Sequence, residues 1–497
     1  MRINVLIGGQ AGQGPNILSE IVGKALIKCG YFVFFSRDYQ SLIRGGHNFN
    51  ILTFNENPVY SNDNKIDILV CLNEETEKIH KKELKKNSVI LKGKEENMHF
   101  AGRLFKVLDL DFKFLENELK KLRNFDENLK HAKTGYDSEN KKLQITKTNS
   151  NKPKNFMNGS QGVAEGAIKS GLDLYCAYPM TPATPLLFEL APKQYENNFI
   201  TLELESEISV IGTAIGASAT GAKSMVGTSG GGFDLMTEGL SMAGMAEIPL
   251  VIYLASRPGP STGVPTYTSQ GDLQLARYCG HGEFFRLVLA PGDPTEAEEL
   301  ISQCFYFSQK YKIPAILLSD KHLAESFYTL NESGKITKSE KSTTLKKYNS
   351  YEHDEKGIAT ENADIIKKNF ERRLKKTKEI EKEAENFEMF KVFGKKESKN
   401  LIVSWGSTKG AILDSIKDLD CKFLQILYIE PFSVKIETEL KKAKNIFVVE
   451  NNATSPLSDL IREKTGFLIE DKNKILRYDG RPFLSDELNE EIKRRMK

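Results

Sequence analysis

Ala177-Tyr178-Pro179-Met180-Thr181-Pro182-Ala183-Thr184-Pro185 sets three prolines directly behind an apolar run, 174–177, that reads as a short buried strand. Proline fixes its own φ and restrains the residue before it, so the bend is stiff and presents the hydroxyls of Thr181 and Thr184 with little freedom. That suits groups that orient a ligand, and a proline-rich strand exit without a role is the equal alternative. Working outward, the runs 224–228, 250–255 and 315–318 are further strand candidates, and helical patterns at 161–170, 206–221 and 233–246 alternate with them. This alternation predicts an α/β fold with a mainly parallel sheet covered by helices on both faces.

Three more segments belong to the same region. Glu203-Leu204-Glu205-Ser206-Glu207 precedes a helical stretch, 208–217, made almost wholly of small and apolar residues. A helix apolar on every side is a buried helix, and Glu207 in its first turn can point into an interior where desolvation raises its pKa. The alternative is a solvated carboxylate complementing the helix dipole. Thr228-Ser229-Gly230-Gly231-Gly232-Phe233 is a glycine turn between strand and helix, and Ser256-Arg257-Pro258-Gly259-Pro260-Ser261-Thr262-Gly263 is a second strand exit. Ligand sites of open α/β sheets lie beyond the carboxyl ends of strands, so all four segments are expected on one edge. There the Arg257 guanidinium suits a bidentate grip on a carboxylate, with a surface salt bridge as its ordinary role.

At 497 residues the chain divides into about three domains on length alone. Residues 3–7 read as a strand. Gly8, Gly9, Gly12 and Gly14 then form a turn, and Pro15 stands at the first position of a helix over 16–29. With strand candidates at 31–35 and 66–72 this is a small α/β layer, which loses apolar periodicity from about 112 to 155 in a helical tail and solvated linker. Residues 333–397 are a charged connector, partly helical around 361–387. Strands at 400–405, 423–429 and 445–449 mark a last compact α/β domain. The expected boundaries are 1–150, 151–332, 333–397 and 398–497.

The formal charge of +3 is a near-cancellation of 70 basic and 67 acidic residues, which gives no reason to expect nucleic acid or a membrane surface as partner. No apolar run reaches the roughly 18 residues of a membrane span, and the opening residues read as a buried strand rather than a signal peptide, so a cytoplasmic location is expected. Six cysteines, Cys29, Cys71, Cys176, Cys279, Cys304 and Cys421, are scattered without a C-x-x-C pair. That speaks against a disulfide frame, a local metal site or a cluster on this chain.

The order and spacing of these segments resemble the pyrimidine-binding domain of 2-oxoacid:ferredoxin oxidoreductase alpha subunits. The family pattern Y-P-I-T-P-S is met by 178–183, E-x-E-I by 205–208, T-S-G-P-G-F by 228–233 and R-G-G-P-S-T-G by 257–263. Family-like strings follow in Gln270-Gly271-Asp272-Leu273, Gly280-His281-Gly282-Glu283-Phe284 and Leu289-Ala290-Pro291-Gly292-Asp293-Pro294. Gly231 replaces the usual proline, Pro258 a glycine, and Phe285 stands where proline is common; these departures touch loop shape rather than the named side chains. Before this domain, Tyr39 and Arg44-Gly45-Gly46-His47-Asn48 resemble the gamma-type domain of the same enzymes. After it, Tyr351-Glu352-His353-Asp354-Glu355-Lys356-Gly357 and Glu371-Arg372-Arg373-Leu374 resemble the connector, assigned to packing. Ser404-Trp405-Gly406-Ser407-Thr408, Val449-Glu450-Asn451-Asn452 and Tyr478-Asp479-Gly480-Arg481-Pro482-Phe483 resemble the transketolase carboxyl-terminal fold, assigned to assembly.

The resemblance implies thiamine diphosphate chemistry: oxidative decarboxylation of a 2-oxoacid, most closely 2-oxoglutarate, with coenzyme A and ferredoxin. It gives Glu207, Thr181 and Arg257 the catalytic roles, with Tyr178, Pro179, Ser229 and Gly230 around the cofactor. Glu207 faces the pyrimidine ring, Thr181 bonds the substrate, Arg257 pairs with a carboxylate, and His281 is a further candidate as readily structural. Gly9, Gly12 and Gly14 mark a coenzyme A or subunit-contact site, or a loop that merely packs. The diphosphate-holding GDG motif is missing, so a beta subunit is expected to carry the Mg2+ and an iron-sulfur cluster, in a heterodimer or dimer of heterodimers. A non-catalytic nucleotide-binding assembly protein of the same fold is the rival from another class.

Overall fold

The computed structural model describes residues 1–40, 46–146, 148, 155–342 and 347–496. Arg44 and Gly45 of the R-G-G-H string lie outside the described residues.

The central sheet has seven strands in the order Tyr428–Glu430, Leu287–Leu289, Pro314–Asp320, Leu250–Ser256, Ser224–Thr228, Leu174–Ala177, Ile200–Glu203. All neighbours are parallel except the first pair. The four strands expected from the sequence are wholly buried, which is why three of them read as apolar runs while Ser224–Thr228 keeps only small or apolar residues around Met225 and Val226. Ile200–Glu203 is half exposed at the sheet edge and carries no such run. Helices Glu207–Ala219 and Gly230–Ala246 lie within three residues of the expected bounds, 206–221 and 233–246, and share an apolar core with the sheet.

A second seven-stranded sheet runs Leu84–Lys92, Ile66–Cys71, Ile3–Gln10, His47–Asn55, Phe32–Tyr39, Phe327–Leu330, Asn155–Asn158. Its last two strands come from either side of the central segment, so this sheet ties the amino-terminal unit to the next. Phe327 stacks on Phe35 at 5.4 Å, and the Thr329 hydroxyl both accepts from the Val33 N–H and donates to the Val33 carbonyl, each at 2.7 Å. Pro15 opens the helix Pro15–Lys28, at the position where a missing N–H costs nothing. The stretch expected to be a solvated linker instead packs Leu143 and Ile145 against the amino-terminal core.

The third sheet orders Phe390–Gly394, Lys422–Ile426, Asn400–Trp405, Asn445–Glu450, Lys474–Leu476. The single strand expected over 423–429 divides after Ile426. Its continuation, Tyr428–Glu430, leaves this sheet and pairs with Leu287–Leu289 at the edge of the central one.

The connector contributes the helix Ala363–Ala384, docked through Arg372 and Lys376 onto Glu247. Burial raises the Glu247 carboxyl, but its hydrogen bonds from these two cations prevail and bring it down to about 2. A carboxyl depressed in the folded state contributes stability that is present above its unfolded value near 4.5 and is lost as pH falls through about 2. Because Arg372 is half exposed, this contribution is on the order of 2 kcal/mol. Protection of 363–384 against amide exchange, relative to the intrinsic rate at each pH, is therefore expected to fall as pH drops from 4.5 toward 2 in the wild type, and Glu247→Gln should show that low protection already at pH 7. Equal exchange in the two proteins at pH 7 would rule the anchor out.

Candidate active site

Ser206 caps the helix Glu207–Ala219, its hydroxyl accepting from the Ser209 N–H at 3.3 Å, and the Ser209 hydroxyl in turn donates to Glu205. That arrangement turns Glu205 outward and Glu207 inward. Glu207 is 3% exposed, and its Oε1 is buried without a hydrogen-bond partner among the described residues. Its side chain lies against the glycine turn: a Cβ on Gly232 would meet Thr228 Oγ1 at 2.2 Å and Glu207 Oε1 at 2.6 Å. The glycine there is a steric requirement of the carboxylate's position.

Strand Ser224–Thr228 ends in this turn, and Ser229 precedes the helix Gly230–Ala246 without capping it through its side chain. The Ser229 hydroxyl is fully buried and has no partner among the described residues. At the next strand end, Arg257 Nη1 donates to the Thr181 carbonyl at 2.7 Å, so the stiff proline bend and the guanidinium meet. Burial lowers the Arg257 pKa, and the nearby Asp272 and Glu207 carboxylates oppose that shift. Asp272 presses on the helix start: a Cβ on Gly230 would stand 2.7 Å from its Oδ2 and 2.9 Å from its Oδ1. Burial raises the Asp272 pKa, against the pull of the Ser256 hydroxyl and of Arg257.

The structure thus brings Glu207, Thr181, Arg257, Ser229 and Gly230 to one sheet edge, as the strand-end argument requires. Tyr178 is exposed and Pro179 half-buried on the same bend. His281 is elsewhere: its N–H donates to Ser241, 11 residues beyond Gly230 and so about 16 Å along that helix. Of Gly9, Gly12 and Gly14, only Gly12 lines a separate cleft of about 800 Å³, formed by residues of the amino-terminal unit, among them Leu72, Asn73, Lys92 and Asn97; a Cβ on Gly9 would meet Leu72 and one on Gly14 would meet Asn97. Gly12 and Gly14 have φ of 91° and 74°, which a side chain would strain. The neighbouring His47 ring contacts His80, Nε2 to Nε2 at 2.8 Å, and burial lowers its pKa to about 4. Asp272 was given no role by the sequence; the Gln270-Gly271-Asp272-Leu273 string was the available signal.

Residues 165–392 match the family described as pyruvate flavodoxin/ferredoxin oxidoreductase, thiamine diP-bdg, and residues 4–125 the family pyruvate ferredoxin/flavodoxin oxidoreductase. The chain is 31% identical to the 2-oxoglutarate synthase subunit KorA of Methanocaldococcus jannaschii, over 60% of this chain and 88% of that protein. It belongs to the family of 2-oxoacid:ferredoxin oxidoreductase alpha subunits. Over 99% of its length this alpha subunit is also 29% identical to the 2-oxoacid:ferredoxin oxidoreductase subunit alpha of Sulfolobus sp, 96% of which it covers. A solved 2-oxoglutarate:ferredoxin oxidoreductase from Magnetococcus marinus shares its fold over 100% of both chains, with a TM-score of 0.89 at 23% identity.

The residues present fit the pyrimidine half of thiamine diphosphate. A buried polar atom left unpaired costs about 1–3 kcal/mol, and Glu207 Oε1 and the Ser229 hydroxyl are two such atoms beside a side-chain-free turn. A flat ring with hydrogen-bonding nitrogens would satisfy them. Among the described residues no group of three or more His, Cys, Asp or Glu could hold a metal, and no helix is long and apolar enough to cross a membrane.

Proposed function

We propose that this alpha subunit works with a beta subunit to decarboxylate 2-oxoglutarate oxidatively, forming the coenzyme A thioester and reducing ferredoxin. The buried, unpartnered Glu207 carboxylate on the edge shared with Arg257 carries this reading. When bound, thiamine diphosphate would supply a nucleophilic carbon for the 2-oxo group and an electron sink for the pair left by carbon dioxide. Glu207 would hold a proton against the pyrimidine nitrogen, in a water-poor pocket where a carboxylate is an effective acid-base group. Arg257 is kept in place by the Thr181 carbonyl and offers its remaining N–H groups to a substrate carboxylate. Tyr178, Pro179, Ser229 and Gly230 would line the ring, and the Thr181 hydroxyl would bond the substrate.

The beta subunit is supported by what this chain leaves open. Ile208 and Leu235, 63% and 52% exposed, flank the site, and Gly212 and Gly216 on the helix beside it have nothing within 4 Å of a would-be Cβ. That uncovered apolar face adjoins the unpaired Glu207, so a partner completing the cofactor site would bury both. Such a partner would bring the Mg2+ and the iron-sulfur cluster, in a cytoplasmic heterodimer or dimer of heterodimers. Gly9, Gly12 and Gly14 are proposed to meet coenzyme A or another subunit. The 2-oxoglutarate preference rests on relatives named 2-oxoglutarate synthase, one of them 38% identical over 174 residues in Archaeoglobus fulgidus.

Reconstitution with a beta chain should give coenzyme A-dependent ferredoxin reduction with kcat/KM for 2-oxoglutarate at least about 10-fold above pyruvate or branched-chain 2-oxoacids, a difference of ~1.4 kcal/mol in transition-state binding. The chain alone should be colourless and inactive. Preference for pyruvate would remove the substrate assignment, and turnover without a beta chain would remove the division of labour.

A further inference from the structure

The loop 257–272 begins at Arg257 and ends at Asp272, the two charged groups that face the candidate site, and its middle, 259–264, is exposed. What fixes its far end is the carboxyl-terminal unit. Gln270 is fully buried, and its backbone and side chain are all taken up there. Its N–H donates to the Asn451 carbonyl at 2.8 Å and its Nε2 to the Trp405 carbonyl at 2.8 Å. Its Oε1 accepts from the Asn451 N–H at 2.8 Å, and its own carbonyl accepts from Asn452 Nδ2 at 3.0 Å.

These partners are themselves held. Glu450 accepts from the Trp405 indole N–H at 2.9 Å and from Asn452 Nδ2 at 3.1 Å. Asn451 Nδ2 donates to the carbonyls of Arg477 and Arg481, in the bend whose Gly480 carbonyl accepts from the Thr268 N–H at 3.0 Å. Arg481 lies 3.7 Å over the Tyr267 ring and pairs with Asp38 of the amino-terminal unit at 3.1 Å. Gly406 completes the cradle, because a Cβ there would meet Gln270 Nε2 at 2.8 Å and would have to adopt φ of 64°.

We propose that Gln270 is a positioning residue for the reaction, a fixed point on the carboxyl-terminal unit from which Asp272 is set against Gly230 and Arg257. A single residue, Gly271, separates Gln270 from Asp272, too short a span to absorb movement at either end. Displacing Gln270 therefore shifts the carboxylate that faces the guanidinium, and with it the grip on the 2-oxoacid. Gln270 touches no reacting atom; it acts through Asp272 and Arg257. This rests on the functional reading above for its kinetic consequence, but its structural half can be read without turnover.

The test uses the reconstituted complex with Gln270→Ala and, from the opposite side, Gly406→Ala, which leaves the loop's own sequence intact. Two measurements are made: amide exchange over 257–272, and kinetics with 2-oxoglutarate and coenzyme A. Both variants should exchange about 10-fold faster in that loop, and KM for the 2-oxoacid should rise about 5–10-fold while kcat falls less than threefold and KM for coenzyme A stays put. Unchanged exchange in 257–272 in both variants overturns the proposal, as does a fall in kcat at unchanged KM, which would mean only a smaller folded fraction. If the wild-type complex turned over no 2-oxoacid, the functional reading would fall, and the exchange result alone would still decide whether Gln270 holds the loop.

Discussion

Glu207→Gln should lower kcat of the reconstituted complex by about 10²–10⁴-fold while leaving its melting temperature unchanged or slightly higher. The substitution keeps side-chain volume and removes only the capacity to take and return a proton. Because Glu207 Oε1 is buried with no partner among the described residues, the folded chain loses no hydrogen bond when the charge goes. A buried charge without a partner is itself a cost, so stability has no reason to fall. The same variant should slow exchange of the thiamine C2 proton in the absence of substrate, which separates a proton-handling role from one in substrate binding. Activity within twofold of wild type would instead favour the non-catalytic assembly reading.

The second large effect concerns stability. Lys409→Met is expected to destabilise the chain by about 3–5 kcal/mol, since removing one member of a buried ionic cluster leaves the others uncompensated. Lys409 is 7% exposed, with Nζ at 2.5 Å from both Asp293 Oδ2 and Glu296 Oε1 across the junction of the central and carboxyl-terminal units. Glu296 also accepts from Gln425 Nε2 at 2.6 Å, the Gly292 N–H at 2.8 Å and Lys391 at 3.1 Å. Burial raises the Glu296 carboxyl, and Lys409 with Lys391 reverses this to about 2. The lysine stem passes directly over Gly292, where a Cβ would meet its Cδ at 2.7 Å. For a cooperative unit of roughly 150–250 residues the loss corresponds to a fall in melting temperature of roughly 6–20 °C. Adding Glu296→Gln to Lys409→Met should recover part of it, and a single variant that melts within 2 °C of wild type would remove the cluster from the stability account.

The comparison of sequence with structure is uneven for a physical reason. The strands Leu174–Ala177, Ser224–Thr228 and Asn400–Trp405 have the bounds expected from the sequence, because strands covered on both faces are built from apolar and small residues with few charges. The strands Asn155–Asn158 and Phe327–Leu330 are short and stabilised by pairing with a distant part of the chain, so nothing local marks them. The helix Glu207–Ala219 was expected to be buried all round; it exposes Ile208, Gly212 and Gly216, since composition does not say how many neighbours a helix has within its own chain.

In the same way the α/β class, the stiff bend at 177–185, the acidic residue opening a small-residue helix and the family they resemble are all legible in the order of residues alone. Each is a local pattern, set by backbone stereochemistry and by the periodicity of apolar residues. It takes the folded chain to show that Glu207 turns inward while Glu205 turns out, that Arg257 meets the Thr181 carbonyl, and that Gln270 is held by the carboxyl-terminal unit. The last two are contacts between residues 76 to 181 positions apart, and no local preference carries the information about which distant group will satisfy a buried donor or acceptor.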